Sequence, residues 1–577
     1  MTSFDDFLKA TYAPQDILCS DRFSELDNGA DRVFVKTDFF HTAEPVVWRG
    51  NVHNPSLNRA KVVLCGQSDL PLTPETVRKY PHVRHWFAIN NLSENPRAIT
   101  LPLGITNNTS ESDLHRIYGN KDVMIRVRKD VPRSSDDLKD DSAASKRVYL
   151  NISVLTHPDR RRVVALLGRK PWVTTEQPVN TIEGREKFLT GLRQHRFCAC
   201  PRGNGLDTHR LWESLYMGCI PIVEYNPAYE RFRDLPILFV ERWEDVTVEL
   251  LDRTYEAFKR QTWNLDKLRV AYWHRLIEAV GALKVPSPLQ AGPAFVLVHT
   301  GPPLPTYAWD CVRQLERSNP ESPVYLVCDS RKLKLPNLPR TNFRNLEIVH
   351  VDHVPPTPLH EQFLQAKTKL DRRFRDGFFW LACRRLFVLY DFVEYLSYMT
   401  PRARDLIHIE YDNLVYFDAR HVVRILRDQR IPMACPRLGA ERMLANVLYV
   451  SDAVALRKLL AFFLTNDASN EMLQLGMFQK AFPRDLVALP ISNPELAFDG
   501  IFDAAPIGQC IGGVDPRNKP GNTVGFVNED SPWADLKPDW VQWKAHQPWF
   551  QSPTMKYPVP VYNLHIHCKD LVKFLKM

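Results

Sequence analysis

Phe197-Cys-Ala-Cys-Pro-Arg202-Gly-Asn-Gly-Leu-Asp207-Thr-His-Arg210-Leu-Trp-Glu213-Ser-Leu-Tyr-Met-Gly218-Cys-Ile-Pro-Ile-Val-Glu224 is the stretch on which the reading of this chain turns. It divides into three pieces. Phe197–Cys200 reads as a short buried strand stopped by Pro201. Arg202 to Gly205 reads as a loop whose glycines tolerate positive φ and bring backbone N–H groups close to a ligand. Asp207 or Thr208 can cap a helix running to Met217 and closed by Gly218, before a strand over Ile220–Val223. A glycine-bearing loop feeding a helix N-terminus suits an anion, because unpaired N–H groups and the positive dipole end converge there. Arg202 and Arg210 add charge for phosphate oxygens, and Glu213 stands about one and a half turns into the helix, where it can accept from a ribose. The bland alternative is an ordinary α/β loop with a surface Arg-His pair.

The Pro201-Arg-Gly203 loop, the Arg210-x-x-Glu213 helix and the Gly218-Cys-Ile-Pro221 strand together resemble the carboxyl-terminal half of exostosin-like glycosyltransferases. In that family these elements frame a nucleotide sugar. The resemblance implies that the donor lies against Arg202, Asn204, His209, Arg210 and Glu213. Upstream, Gln67-Ser68-Asp69, Trp86-Phe-Ala-Ile-Asn90 and Leu101-Pro-Leu-Gly104 match the amino-terminal half of the same family more loosely. Strand-like runs at Val62–Cys65 and His85–Asn90, with a helix around Pro74–Tyr80 between them, imply a parallel sheet covered by helices. Residues 130–147 are charged and turn-rich, as a linker between two lobes would be. A strand over Arg147–Ile152 and a helix over Glu186–His195 lead into the central stretch. Twin Rossmann-like lobes with a cleft between them is the GT-B arrangement, and ligands of such sheets sit at the carboxyl ends of the strands. Asp69, at a strand end of the facing lobe, is the choice for the base, and the resemblance implies inversion at the anomeric carbon.

Composition narrows the classes. At 577 residues the chain exceeds one core, and 44% apolar with 25% charged residues is a folded, not a disordered, composition. The net charge of +8 is spread thinly. It suits phosphorylated ligands but provides no basic arm for nucleic acid. Eleven cysteines without a framework read as reduced core residues, and Cys198-Ala-Cys200 lacks the spacing of a usual zinc or redox pair. No apolar run reaches bilayer length and the start lacks a signal pattern, so a cytoplasmic protein without a transmembrane segment is expected, with sequons such as Asn108-Thr-Ser unmodified.

Pro286-Ser-Pro-Leu-Gln-Ala-Gly-Pro293 reads as a domain boundary. Beyond it a strand at Phe295–His299, a helix from Tyr307 to Ser318 and a strand Val324–Cys328 ending in Asp329 restart an α/β fold. Leu406-Ile-His-Ile-Glu410-Tyr-Asp412-Asn413 then reads as a buried strand with acids at i and i+2 on one side, a bend excepted. Buried acids need a cation or donors, and hard oxygens suit Mg²⁺ or Mn²⁺ beside a diphosphate. At the tail, His565 and His567 share a strand face with Lys569 two further on. A histidine there can complete the metal shell and Lys569 can meet a phosphate. Glu410-x-Asp412 resembles the acidic metal motif of GT-A glycosyltransferases, and the terminal His-x-His-x-Lys resembles their late histidine. Asp503 and Asp515, the latter after Gly512-Gly513, are candidates for acceptor binding or the base.

The expectation is therefore an α/β chain with a GT-B pair of lobes at 1–140 and 141–285, a linker at 286–293 and a GT-A-type domain at 294–577. Its function is expected to be bifunctional transfer from UDP- or GDP-sugars to a glycan or glycoprotein acceptor, metal-dependent in the second domain only. The chain also resembles the soluble, multi-domain transferases of large viruses of protists, and that resemblance alone implies a viral source. The competing expectation is a glycan-binding or scaffold protein whose transferase domains are inactive; nucleic acid is not an expected partner.

Overall fold

The structure is a computed structural model that describes residues 2–41, 46–48, 51–53, 57–95, 97–107, 112–133, 147–282, 292–301, 304–328, 343–399 and 405–575. The linker segments 134–146 and 283–291, Asp329 and the Asn108 sequon lie outside the described residues. The chain divides into two compact units, Met1–Lys284 and Val285–Met577.

Unit 1 contains two parallel sheets. The first is built from β1 (Arg32–Lys36), β2 (Val62–Gly66), β3 (His85–Ala88) and β4 (Ala98–Thr100), in that spatial order. Every residue of β2 and β3 is buried, as expected for parallel strands covered on both faces. Trp86, Val63, Leu72 and Val77 make its core. The second sheet has β5 (Val148–Asn151), β6 (Val173–Glu176), β7 (Phe197–Ala199), β8 (Ile220–Glu224) and β9 (Leu238–Val240), ordered β9-β8-β7-β5-β6 and parallel throughout. The twin Rossmann-like lobes read from the sequence are present.

The second lobe is tied underneath by buried arginines. Helices α1 (Phe4–Lys9), α2 (Lys121–Asp130), α3 (Pro158–Leu167), α4 (Ile182–Gln194) and α5 (His209–Tyr216) surround it. Arg128 donates to Phe7 O at 2.9 Å and to the carbonyl of Tyr216. Arg193 donates to Met217 O at 2.8 Å and Val131 O at 2.6 Å, and Arg133 to His195 O at 2.6 Å. Each acceptor closes a helix, so the negative ends of α1, α2, α4 and α5 balance the guanidinium charges. Burial still draws Arg193 down to about 9. The carboxyl end of α5 is thereby clamped, and its amino end opens at the carboxyl edge of the sheet.

Unit 2 is a mixed sheet of β10 (Ala294–His299), β11 (Val324–Cys328), β12 (Leu346–His350), β13 (Leu406–Ile409), β15 (Met433–Leu438), β16 (Val447–Val450) and β17 (Leu486–Leu489). Its order is β12-β11-β10-β13-β16-β15, with β17 alongside β15. Of these, β16 alone runs against its neighbours. Helices α6 (Ala308–Ser318), α7 (Phe378–Met399) and α8 (Pro506–Gly512) accompany the sheet.

The continuous strand expected over Leu406–Tyr416 is broken. β13 ends at Ile409, residues 410–412 leave the sheet, and β14 (Asn413–Val415) pairs instead with the tail strand β18 (Asn563–His565). The tail strand likewise stops at His565, so His567 and Lys569 do not share its face, and Lys569 adopts φ 66°.

Candidate functional sites

In unit 1 the carboxyl ends of β1, β2 and β7 border a cleft of about 720 Å³ lined by both lobes. Asp69, Gln67 and Asn107 face it from the first lobe. Asn204, His209, Arg210, Glu213 and Arg160 face it from the second. Arg160, from α3, donates to Arg202 O at 2.9 Å. Burial, with Arg210 nearby, lowers it to about 10. The Nε of Arg210 is buried without a hydrogen-bond partner, and so is the hydroxyl of Thr208, which caps α5 with its backbone alone. Among the described residues no carboxylate pairs with either Arg160 or Arg210. Two guanidiniums and an uncapped helix N-terminus, turned toward one polar cleft, have the chemistry to suit an anion.

His209 Nδ1 lies 2.8 Å from Gly104 O. A carbonyl only accepts, so Nδ1 carries the proton and Nε2 keeps its lone pair. Burial lowers the pKa of this histidine, which keeps it neutral. Asn90 ties the two lobes together: its Oδ1 accepts from Asp207 N at 2.8 Å and its Nδ2 donates to Ser68 O at 3.3 Å.

Several sequence expectations change here. Gly203 and Gly205 do not adopt positive φ. Gly205 is needed for close approach, because a Cβ on it would lie 2.8 Å from Asn90 Nδ2 and 3.3 Å from Asp69 Oδ1. Arg202 turns back on its own loop, donating to Asn204 O at 3.1 Å, so Arg160 takes the place at the cleft foreseen for it. Asp207 does not cap α5 from its side chain. It accepts from Leu103 N at 2.9 Å and Trp212 Nε1 at 2.9 Å, and burial raises it to about 6. Glu213 reaches the cleft with one oxygen already held, since Arg185 Nη1 donates to Oε1 at 2.6 Å in a buried ion pair.

In unit 2, Glu410, Asp412 and His565 bring ligand atoms within 4.8 Å of one another. His565 Nε2 lies 3.3 Å from Asp412 Oδ1 and 3.5 Å from Glu410 Oε2. The pairing of β14 with β18 explains the meeting, since its register sets Asn413 opposite His565. Asn563 Nδ2 then donates to Asn413 Oδ1 at 2.9 Å and to Asp503 O at 3.0 Å, locking the junction. Burial disfavours charge on His565, but Asp412 and Glu410 outweigh it and the net shift is upward. For Asp412 burial is likewise outweighed, by Lys569 and His565, and its carboxyl falls well below the usual range. Two oxygens and one imidazole nitrogen, with His565 Nδ1 turned to Ala504 O, fit a hard divalent ion. Both carboxylates also have a permanent cation. Lys569 pairs with Asp412, and Arg385, from α7, lies 2.5 Å from Glu410 Oε1.

The remaining candidates have other partners. His567 Nδ1 accepts from Gln509 Nε2 at 2.8 Å, because the oxygen of that amide already accepts from Asn528 N. Burial holds His567 neutral, so its other nitrogen keeps its proton and the ring is not poised as a ligand. Asp503 accepts from the backbone N–H groups of Ala505, Ile507, Gly508 and His565 at 2.8–3.0 Å, which makes it the anchor of α8 and not a base. Lys569 meets a carboxylate rather than open space. Gly513 approaches Thr523, where a Cβ would lie 2.5 Å from the hydroxyl. Asp515 lies 3.4 Å from Arg375 Nη1 and accepts from Arg517 N at 2.8 Å. Sequence reasoning missed Arg160, Arg185 and Arg385 as partners of the sites.

No protein-family model matches the chain. No curated protein matches it either. Among solved structures it is similar to mouse xyloside xylosyltransferase 1 (10% identity, 34% of this chain, 85% of that one, TM-score 0.24). It is also similar to an active-site mutant of LgtC (14% identity, 32% and 70% covered, TM-score 0.22). A third is the bifunctional glycosyltransferase WbbM (12% identity, 43% and 52% covered, TM-score 0.23). Among the described residues no helix is long and apolar enough to cross a membrane.

Proposed function

We propose that the chain is a two-site glycosyltransferase, with a GT-B transferase in unit 1 and a GT-A transferase in unit 2. The observation that carries this reading is the meeting of Glu410, Asp412 and His565, from remote segments, at one point of unit 2. In that unit Glu410, Asp412 and His565 would hold Mn²⁺ or Mg²⁺. The ion supplies Lewis acidity toward a leaving nucleoside diphosphate. Lys569, released from Asp412, is within the same cluster to meet a phosphate oxygen, and Asp515 is the carboxylate left for the acceptor hydroxyl. In unit 1, Arg160, Arg210 and the amino end of α5 bind the diphosphate without an ion. Asn204 and Glu213 orient the rest of the donor, the free oxygen of Glu213 accepting from a ribose. Asp69 takes the acceptor proton, with the neutral His209 beside it, and the anomeric centre inverts.

One observation favours the alternative of a glycan-binding protein: both carboxylates of the acid pair already have a permanent cation. Incubation with a panel of UDP- and GDP-sugars, with donor hydrolysis measured before and after EDTA, separates the readings. A transferase hydrolyses some donor, and EDTA removes one activity while sparing the other. A binding protein hydrolyses none and is not stabilised by millimolar UDP or GDP.

A further inference from the structure

In unit 2 the chain before α7 runs Lys367-Thr-Lys-Leu-Asp-Arg372-Arg-Phe-Arg-Asp-Gly-Phe378. Apolar side chains that a water-facing loop normally hides are outward here: Phe374 is 42% and Phe378 46% exposed. Lys367, Lys369, Arg372 and Arg373 are exposed around them. Arg375, Asp376 and Gly377 follow one another with φ of 47°, 56° and 87°. Two successive non-glycine residues in the left-handed region are strained, and such strain persists only where function or surrounding structure demands it.

A second loop repeats the composition. Val524 (52% exposed) and Phe526 (37%) are outward, and Lys519 Nζ stands 3.8 Å over the Phe526 ring. Arg375 joins the two loops, pairing with Asp515 Oδ2 at 3.4 Å and with the side chain of Asn518. Asp371, one of the acids between the bases, is turned inward to its own loop, accepting from Arg373 N at 2.7 Å and Phe374 N at 3.1 Å.

We propose that these two loops form a docking surface for a membrane bearing anionic phospholipid. Phenylalanine rings without a polar handle gain from contact with acyl chains, while the flanking arginines and lysines keep their heads at the phosphate level. Each basic residue near an anionic leaflet adds attraction that salt screens. An acidic polysaccharide would use the charges but has no place for exposed phenylalanines. Arg375 bonds both loops, and through Asp515 the surface adjoins the acceptor side of unit 2. The surface itself does not depend on the proposed transferase activity.

The test is co-sedimentation of the full chain with vesicles of phosphatidylcholine, with and without phosphatidylserine, and with soluble heparin as the polysaccharide probe. The expected result is binding to the phosphatidylserine vesicles that weakens with salt. Phe374→Ser with Phe378→Ser should lower it by about tenfold or more. Arg372→Glu with Arg373→Glu should lower it similarly while Tm, measured in parallel, stays unchanged. Capture by heparin without binding to either vesicle, or vesicle binding untouched in both folded double variants, overturns the proposal.

Discussion

His565 Nε2 stands 3.3 Å from Asp412 Oδ1, although the two residues come from opposite parts of unit 2. A short antiparallel pairing, β14 with β18, makes the contact, and a buried asparagine pair fixes its register. Backbone pairing thus brings the imidazole to the acid pair.

Lys569 competes for that geometry. Its ammonium pairs with Asp412, whose other oxygen faces His565, so it competes with a divalent ion for the charge of that carboxylate. Lys569→Ala is expected to tighten Mn²⁺ binding by several-fold, read by calorimetry, while slowing sugar transfer. Weaker Mn²⁺ binding in the variant would assign Lys569 to holding the carboxylate in place.

Glu213 has both a structural and a binding role. Its ion pair with Arg185 is buried, with side chains 5% and 0% exposed. Glu213→Gln leaves the Arg185 charge without its partner, and a loss of about 3 kcal/mol in the stability of unit 1 is expected. Donor affinity should fall as well. Denaturant unfolding and nucleotide titration read the two effects separately, and unchanged stability would contradict the buried pair.

Glu471 gives a pH dependence. It begins the helix Glu471–Ala481, one carboxylate oxygen is buried without a partner, and burial pushes it up to about 7. A carboxyl raised in the fold above its unfolded value favours folding while protonated. Its contribution is therefore present at low pH and lost as pH rises from the unfolded value through about 7. Glu471→Gln should stabilise unit 2 by on the order of 2 kcal/mol at pH 8 relative to its effect at pH 5. Equal effects at both values would show that Glu471 is ionised in the fold.

Much of this was legible in the sequence, for identifiable reasons. The parallel strands of unit 1 announce themselves as continuous apolar runs, Val62–Gly66 being buried at every position. The loop before α5 was legible because glycines and a helix N-terminus have local signatures. The arginine partners were not, because each contact joins residues 25 or more positions apart on different elements, which leaves no local spacing. Arg185 did leave a trace: it shares the 185, 188, 189, 192 stripe of α4 with Phe188, Leu189 and Leu192, all buried. A charge on such a stripe requires a buried partner. The break after Ile409 was hidden, since Glu410-Tyr-Asp412 fits a strand's alternation as well as a turn. Of the two tail histidines the sequence did not say which would reach the acid pair; His565 does, because the tail strand ends there and Gln509 takes Nδ1 of His567.

Fragments 1–284 and 285–577 each enclose their own sheets and core. Expressed separately, each should be monodisperse and unfold in one cooperative transition by calorimetry. Aggregation of both fragments would contradict independent folding.

Binding of Mn²⁺ to fragment 285–577, followed by electron paramagnetic resonance in the wild type, Asp412→Asn and His565→Ala, decides whether Glu410, Asp412 and His565 hold a divalent ion. One bound ion is expected in the wild type, tightened by UDP or GDP, and lost in Asp412→Asn and in His565→Ala. Equal binding in all three proteins, or none in the wild type with nucleotide present, would contradict it.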